Sequence, residues 1–144
     1  MGSKIRLGSD EIKFMTLFES LTGATVVDCV KEENTLGFLV KKGDMGRAIG
    51  KQGANIEKVR QSVGRSVLIV EEGDNQQEFM KKLFEPVRLH KIQFKENDGE
   101  KNAVIEVDKK DRRKVLGSEG MRIKIARQLA RRHHMIDDIV VHVV

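Results

Sequence analysis

Residues 40–61 read VKKGDMGRAIGKQGANIEKVRQ, and residues 107–128 read VDKKDRRKVLGSEGMRIKIARQ. The two stretches align without a gap at an offset of 67 residues, and eight of their positions are identical. Each contains the pattern Gly-x-x-Gly, which begins at Gly50 in the first copy and at Gly117 in the second. A gapless repeat that keeps both glycines indicates two copies of one fold, each of about 70 residues.

The apolar pattern around each repeat predicts the order helix, strand, strand, helix, helix, strand. Ser9 is predicted to cap the first helix, and Asp74-x-x-Gln77 resembles a capping box that opens the second copy. Pro86 is predicted to end the first helix of the second copy. In the first copy we expect strands at 25–31, 36–41 and 66–71 and helices at 44–49 and 54–63. In the second copy we expect strands at 87–94, 102–107 and 139–143 and a helix pair over 110–132.

The predicted fold class is α+β, with two domains at 1–73 and 74–144, each a three-stranded mixed sheet packed by helices. The chain of 144 residues has one cysteine, Cys29, so no intramolecular disulfide or multi-cysteine metal site is possible within it. The sequence has no apolar stretch of the length that a transmembrane helix needs and no signal-peptide pattern. We therefore expect a soluble cytoplasmic protein with no membrane partner. The sequence does not determine the oligomeric state, for which a monomer is the expectation.

Positive charge is concentrated at the two repeats. The net charge is +5 for the whole chain, +4 for residues 42–67 and +8 for residues 109–134, which leaves −7 for the remainder. A run of charge is often only a solvated helix face, but enrichment at both glycine pairs against an acidic remainder favours an anion-binding surface.

The glycine pair between two helices suits a phosphate group. Two glycines three residues apart permit a tight turn and leave no Cβ where another backbone must approach closely. The helix that follows presents unpaired N–H groups and the positive end of its dipole at the turn. One such pair is weak evidence, whereas two at equivalent points of a repeat are strong evidence.

The run from Ala48 to Ile56 resembles the apolar-Ile-Gly-x-x-Gly-x-x-Ile pattern of the KH (K-homology) RNA-binding family. Two strands before the glycines and one after them correspond to the type II order, and tandem copies with the run 43–50 resemble the KH pair of the NusA family of transcription factors. The resemblance implies single-stranded RNA as ligand, about four nucleotides per domain, and RNA polymerase as partner, with no cofactor and no enzymatic activity. The predicted RNA-binding residues of the first copy are Arg47, Ile49, Gly50, Lys51, Gln52, Gly53, Asn55, Ile56 and Lys58.

The second copy departs from the pattern, because Ser118-Glu119 replaces Lys51-Gln52 and places a carboxylate where phosphate is expected. Such a carboxylate repels phosphate by ~1 kcal/mol at a solvated surface. Five nearby cations are candidates to compensate for it: Arg112, Arg113, Lys114, Arg122 and Lys124. Whether the second loop binds RNA therefore stays open, and we expect the first to be the better-formed site. The predicted RNA-binding residues of the second copy are Arg113, Lys114, Gly117, Ser118, Gly120, Arg122 and Lys124. The aliphatics Ile49, Ile56, Leu116 and Ile123 either line a base-binding groove or belong to the core.

Other functions fit the sequence less well. A KH-type protein in ribosomal RNA processing or ribosome assembly is the nearest alternative, and the helix pairs also permit a DNA-binding helix-turn-helix. Asp137 and Asp138 would be the residues of a metal-dependent nuclease, although a turn before the last strand explains them equally simply. No metal-binding or catalytic residues are predicted.

Overall fold

Two units make up the part of the chain that the computed structural model describes, residues 8–144. The N-terminal unit comprises residues 8–72, and the C-terminal unit comprises Gly73–Val144. The N-terminal unit contains α1 (Ser9–Thr22), β1 (Val26–Glu32), β2 (Thr35–Val40), α2 (Met45–Ile49), α3 (Ala54–Val63) and β3 (Ser66–Glu71). The C-terminal unit contains α4 (Gln76–Leu83), β4 (Lys91–Asn97), β5 (Glu100–Val107), α5 (Arg112–Leu116), α6 (Met121–His134) and β6 (Asp138–Val143).

Each unit has a three-stranded mixed sheet. In the N-terminal unit β2 is central, antiparallel to β1 and parallel to β3, so that Phe38 pairs with Cys29 and with Ile69. In the C-terminal unit β5 is central, antiparallel to β4 and parallel to β6. A parallel neighbour requires a long crossover, and the helix pairs α2–α3 and α5–α6 supply it. The predicted α+β class, with a three-stranded mixed sheet and packed helices, is confirmed.

The core of the N-terminal unit fixes the helix pair on the sheet. The rings of Phe18 in α1 and Phe38 in β2 are fully buried, with centroids 4.4 Å apart. Ala48 of α2 and Val59 of α3 belong to the same buried cluster. Because one buried residue anchors each helix of the pair, the turn between the two helices is held at a defined position above the sheet.

The C-terminal unit buries the equivalent positions. Ile105 of β5 corresponds to Phe38, Val115 of α5 to Ala48, and Ala126 of α6 to Val59, and all three are almost completely buried. The repeated sequence therefore supplies the same anchoring points in both units.

Three predicted details are wrong. Gly8, rather than Ser9, is the N-cap of α1. The capping residue of α4 is Asn75, whose side chain accepts a hydrogen bond from the Glu78 amide at 2.8 Å. The capping pair is therefore Asn75 and Glu78, one residue later than the predicted Asp74 and Gln77. β4 begins at Lys91 instead of residue 87, because the Val87 amide donates to the Phe84 carbonyl at 2.8 Å and the chain turns there.

Candidate nucleic-acid interface

A tight turn joins α2 to α3 and contains the first Gly-x-x-Gly sequence. Gly50 has φ 76° and ψ 173°, Gln52 has φ 55° and ψ 30°, and Gly53 has φ 76° and ψ 15°. The Gly53 amide donates to the Gly50 carbonyl at 3.1 Å and closes the turn. Three positive φ values within four residues explain why the sequence needs glycine at both ends. We call residues 50–53 the first loop.

Gly50 also makes a contact that excludes any side chain. A Cβ atom built on Gly50 would lie 2.6 Å from Cγ and 2.8 Å from the backbone N of Asn55. Gly53 has more room, since the nearest atom to its Cβ position is Cγ2 of Ile56 at 3.9 Å, and only its positive φ restricts the residue there. The first loop therefore lies directly against the first turn of α3.

Asn55 braces the first loop. Its side-chain Nδ2 donates to the carbonyl oxygen of Arg47 at 2.7 Å, which links the start of α3 to α2. The contact of Asn55 with RNA stays a prediction, and in the structure one N–H of its amide group is engaged by the Arg47 carbonyl.

The other predicted polar residues of the first loop are exposed. Lys51 and Gln52 lie on the loop, while Arg47 and Lys58 lie on the helices that it joins. The N-cap of α3 is Gly53, which has no side chain to bond the first N–H groups of the helix. The positive end of the α3 dipole, together with three exposed cations, forms a surface that favours an anion.

The two aliphatics beside the first loop differ in burial. Ile49, directly before Gly50, is 40% exposed, whereas Ile56 is half-buried and packs against the core. Ile49 is therefore available to contact a ligand, and Ile56 is shared between the core and the surface.

The turn between α5 and α6 has nearly the same backbone conformation as the first loop. Gly117 has φ 79° and ψ 173°, Glu119 has φ 55° and ψ 25°, and Gly120 has φ 72° and ψ 16°. The Gly120 amide donates to the Gly117 carbonyl at 3.1 Å, as in the first loop. We call residues 117–120 the second loop. A Cβ on Gly117 would lie 2.7 Å from the backbone N of Arg122, so this glycine is also obligatory.

Arg122 is the counterpart of Asn55 in the second copy, but its side chain bonds to a different part of the fold. Its guanidinium donates to the carbonyl of Glu85 at 2.6 Å and to that of Leu83 at 3.3 Å, at the end of α4. Burial lowers the pKa of Arg122 from its ordinary value. The guanidinium that the sequence predicts to contact RNA is thus engaged inside the C-terminal unit.

The remaining predicted residues of the second loop are divided between surface and core. Arg113, Lys114, Ser118 and Lys124 are exposed, and Lys114 Nζ lies 3.9 Å from Asp111 Oδ1. Of the two aliphatics, Leu116 is half-buried, while Ile123 is only 4% exposed and belongs to the core.

Part of the basic surface is absent from the residue-by-residue prediction. Lys109 and Lys110 are exposed and continue into Arg112, Arg113 and Lys114, so residues 109–114 present five cations around the half-buried Asp111. The Gly-x-x-Gly pattern does not extend to these residues. The charge count over 109–134 is the signal that finds them.

Asp137 and Asp138 take part in structural bonds. Asp137 Oδ2 accepts from the Lys101 amide at 2.8 Å, and Asp138 Oδ1 lies 2.9 Å from Arg127 Nε. Both carboxylates thereby fix the start of β6, as the turn interpretation predicts. Within residues 8–144 no group of three or more His, Cys, Asp or Glu side chains is arranged to hold a metal ion.

The sequence and structure match one family and a set of named relatives. The family model for the KH domain matches residues 15–112, more than half of the chain. The chain therefore belongs to the KH domain family.

Within that family the relatives are NusA proteins. "Probable transcription termination protein NusA" of Methanocaldococcus jannaschii is 33% identical over 96% of this chain and 76% of its own length. Proteins of the same name from Halobacterium salinarum and Halococcus morrhuae are 34% and 35% identical, over 94% of this chain and 96% and 97% of theirs. The chain is thus a KH-domain protein of the NusA family. The crystal structure of APE1850 superposes with a TM-score of 0.80 at 31% identity, covering 94% of this chain and all of that one.

No helix between residues 8 and 144 has both the length and the apolar character that crossing a membrane requires.

Proposed function

We propose that the protein is a non-enzymatic transcription factor that binds single-stranded nascent RNA through a Gly-x-x-Gly loop. It acts with RNA polymerase in transcription elongation or termination, in the cytoplasm and as a monomer. Membership of the KH domain family supports RNA as the ligand. The relatives named as transcription termination proteins support the process and the polymerase partner.

In this proposal residues 1–73 and 74–144 are two type II KH domains in tandem. The order of elements supports it, because two antiparallel strands precede the glycine loop and a parallel strand follows in each unit. The same order of elements in both units gives the chain two candidate RNA-binding loops.

One observation carries the proposal: a helix start without a side-chain cap lies directly behind a glycine turn that has lysine and glutamine at its tip. A phosphate at the first loop would meet the positive end of the dipole of α3, although the Ala54 amide at the start of that helix donates to the Lys51 carbonyl. Lys51 would add a charged donor, and Gln52 a neutral one. The exposed side chain of Ile49 offers an apolar contact for the neighbouring base.

The remaining predicted residues have supporting roles. Arg47 and Lys58 are exposed cations on α2 and α3 that would attract the strand. Asn55 would act indirectly, by holding the loop in shape through its bond to the Arg47 carbonyl. No cofactor and no metal enter this mechanism, since the ligand is bound and not transformed.

The double variant Lys51→Asp with Gln52→Asp tests the site. It replaces one cation and one neutral donor by two carboxylates at exposed positions, so the fold should survive and RNA should be repelled. We expect the affinity for a labelled, unstructured single-stranded RNA, measured by fluorescence anisotropy, to fall by about tenfold or more. For the wild type, the logarithm of the affinity should fall with the logarithm of the salt concentration by about 0.7 for each phosphate contacted.

The matched control carries the same change in net charge on the exposed face of α1. Lys13→Asp with Ser20→Asp changes two exposed residues seven positions apart in that helix. An equal loss of affinity in the control would contradict the first loop as the site. Tighter binding to a DNA duplex would favour the helix-turn-helix alternative. Copurification with ribosomal subunits instead of polymerase would favour the ribosomal RNA alternative.

A further inference from the structure

The two loops place different side chains on the same backbone. The φ and ψ angles at the three residues with positive φ agree between the loops within 5°. Glu119 therefore stands where Gln52 stands, with the same φ of 55° and with its side chain exposed. Ser118 likewise stands where Lys51 stands. The second loop thus carries one negative charge where the first carries one positive charge, with no difference in shape.

The nearest candidate for compensation is not available to an incoming phosphate. Arg122, two residues after the second loop, donates to the carbonyls of Leu83 and Glu85. Moving its guanidinium to a ligand would leave these carbonyls without that donor, which costs free energy. The charge of Glu119 therefore meets no opposing guanidinium from the start of α6.

The apolar surface beside the second loop is also smaller. Ile49 is 40% exposed, whereas its counterpart Leu116 is half-buried. Ile56 is half-buried, whereas its counterpart Ile123 is a core residue at 4% exposure. A base placed next to the second loop would find less aliphatic side chain to contact than a base next to the first.

We infer that Glu119 prevents the second loop from holding an RNA phosphate, so that the chain clamps the backbone of single-stranded RNA at the first loop alone. This inference rests on the proposed function and specifies which loop performs it. Two unit charges about 4 Å apart in water repel by ~1 kcal/mol, which corresponds to a factor of about five in affinity. A single carboxylate is therefore enough to make two loops of the same shape unequal.

The C-terminal unit then contributes to RNA binding through electrostatic attraction of the phosphate backbone, without a defined phosphate site. Its exposed cations Lys109, Lys110, Arg112, Arg113 and Lys114 precede the second loop and lie outside the glycine turn. Such a surface attracts any phosphate backbone and is screened by salt. Its role is to raise the local concentration of the strand that the first loop holds.

Loop exchange tests the inference. Glu119→Gln removes the carboxylate, and Ser118→Lys with Glu119→Gln gives the second loop the side chains of the first. The reciprocal variant, Lys51→Ser with Gln52→Glu, gives the first loop the side chains of the second. Glu33→Gln is the matched control, because Glu33 is also exposed, also has a positive φ of 50°, and lies in the turn between β1 and β2. The probe is a labelled 12-nucleotide oligouridylate, with affinities measured at several salt concentrations.

We expect Glu119→Gln to raise the affinity about fivefold and the double exchange in the second loop to raise it further, with a steeper salt dependence. The reciprocal variant should weaken binding, while Glu33→Gln should match the wild type apart from a small general effect of charge. If Glu119→Gln binds no better than Glu33→Gln while Lys51→Asp with Gln52→Asp still abolishes binding, the inference is wrong and the proposed function stands. If the wild type does not bind the RNA at any salt concentration, the proposed function and the inference both fail.

Discussion

The first and second loops have the same backbone conformation and opposite charge. Both are closed by the same 3.1 Å hydrogen bond between their glycines, and both have an obligatory glycine against the following helix. They differ at Lys51 and Gln52 against Ser118 and Glu119. The glycines therefore determine the shape of the turn, while the two residues between them determine the charge that the turn carries.

The bracing of the two loops differs as well. In the first loop the Asn55 side chain donates to the Arg47 carbonyl. This bond links α3 to α2, and both helices belong to the site itself. In the second loop Arg122 bonds to the end of α4. A change at the first brace should therefore affect the ligand, whereas a change at the second should affect mainly the fold.

The largest effect is expected from alanine at the obligatory glycines. Gly50→Ala and Gly117→Ala both place a Cβ in a region of φ and ψ that is essentially restricted to glycine and within 2.8 Å of backbone. Each should lower the free energy of unfolding by about 2–4 kcal/mol, as measured by urea denaturation. Only Gly50→Ala should also lower RNA affinity strongly, by about tenfold. Equal losses of RNA affinity in the two variants would remove the distinction between the loops.

A smaller effect is expected at the braces. Asn55→Ala removes one hydrogen bond and should cost about 1 kcal/mol of stability together with several-fold in RNA affinity. Arg122→Met keeps the length of the side chain and deprives the Leu83 and Glu85 carbonyls of their donor, at a cost of about 1–2 kcal/mol. RNA affinity in Arg122→Met should stay within about twofold of the wild type. A large loss of RNA affinity without a loss of stability in this variant would assign Arg122 to the interface after all.

The smallest effect is a difference in acid sensitivity between the units. All four histidines lie in the C-terminal unit, and burial, with a further contribution from His133, lowers the pKa of His134 below its usual 6.5. The rings of His134 and Phe79 are in contact, with their centroids 4.4 Å apart and their planes inclined by 36°. The unfolded chain therefore binds a proton at this residue more readily than the folded chain does, so the stability of this unit should fall as the pH decreases below 6.5.

His134→Phe keeps an aromatic ring against Phe79 and removes the imidazole that takes up a proton. Thermal unfolding of the variant between pH 7 and pH 5 should show a weaker loss of stability than the wild type. An identical pH dependence in the two proteins would show that other groups are responsible.

The sequence predicts the turn geometry well because the cause is local. Two glycines three residues apart, flanked by one buried apolar residue on each side, specify the loop and its anchoring in both units. The order of helices and strands follows in the same way from apolar periodicity within short windows. The difference in charge between the loops can also be read from the sequence, because it follows from the carboxylate of Glu119 itself.

The bracing contacts are not predictable in this way. Arg122 bonds to carbonyls 37 and 39 residues earlier in the chain, and no pattern around residue 122 indicates where those carbonyls lie. The apolar residues after Pro86 favour a strand that begins at residue 87. The turn closed by Phe84 and Val87 prevents this, and β4 begins at Lys91 instead. Ile123 has the spacing of a groove residue, and only the packing of the C-terminal unit assigns it to the core.

We propose that the first loop holds the RNA backbone. Amide chemical shifts of the ¹⁵N-labelled protein, followed while an unstructured single-stranded RNA is added, test it residue by residue. We expect the largest shifts at residues 49–56, with small and strongly salt-dependent shifts at residues 109–114 and little change at residues 117–121. Shifts that are largest at the second loop, or equal at the two loops, would contradict it.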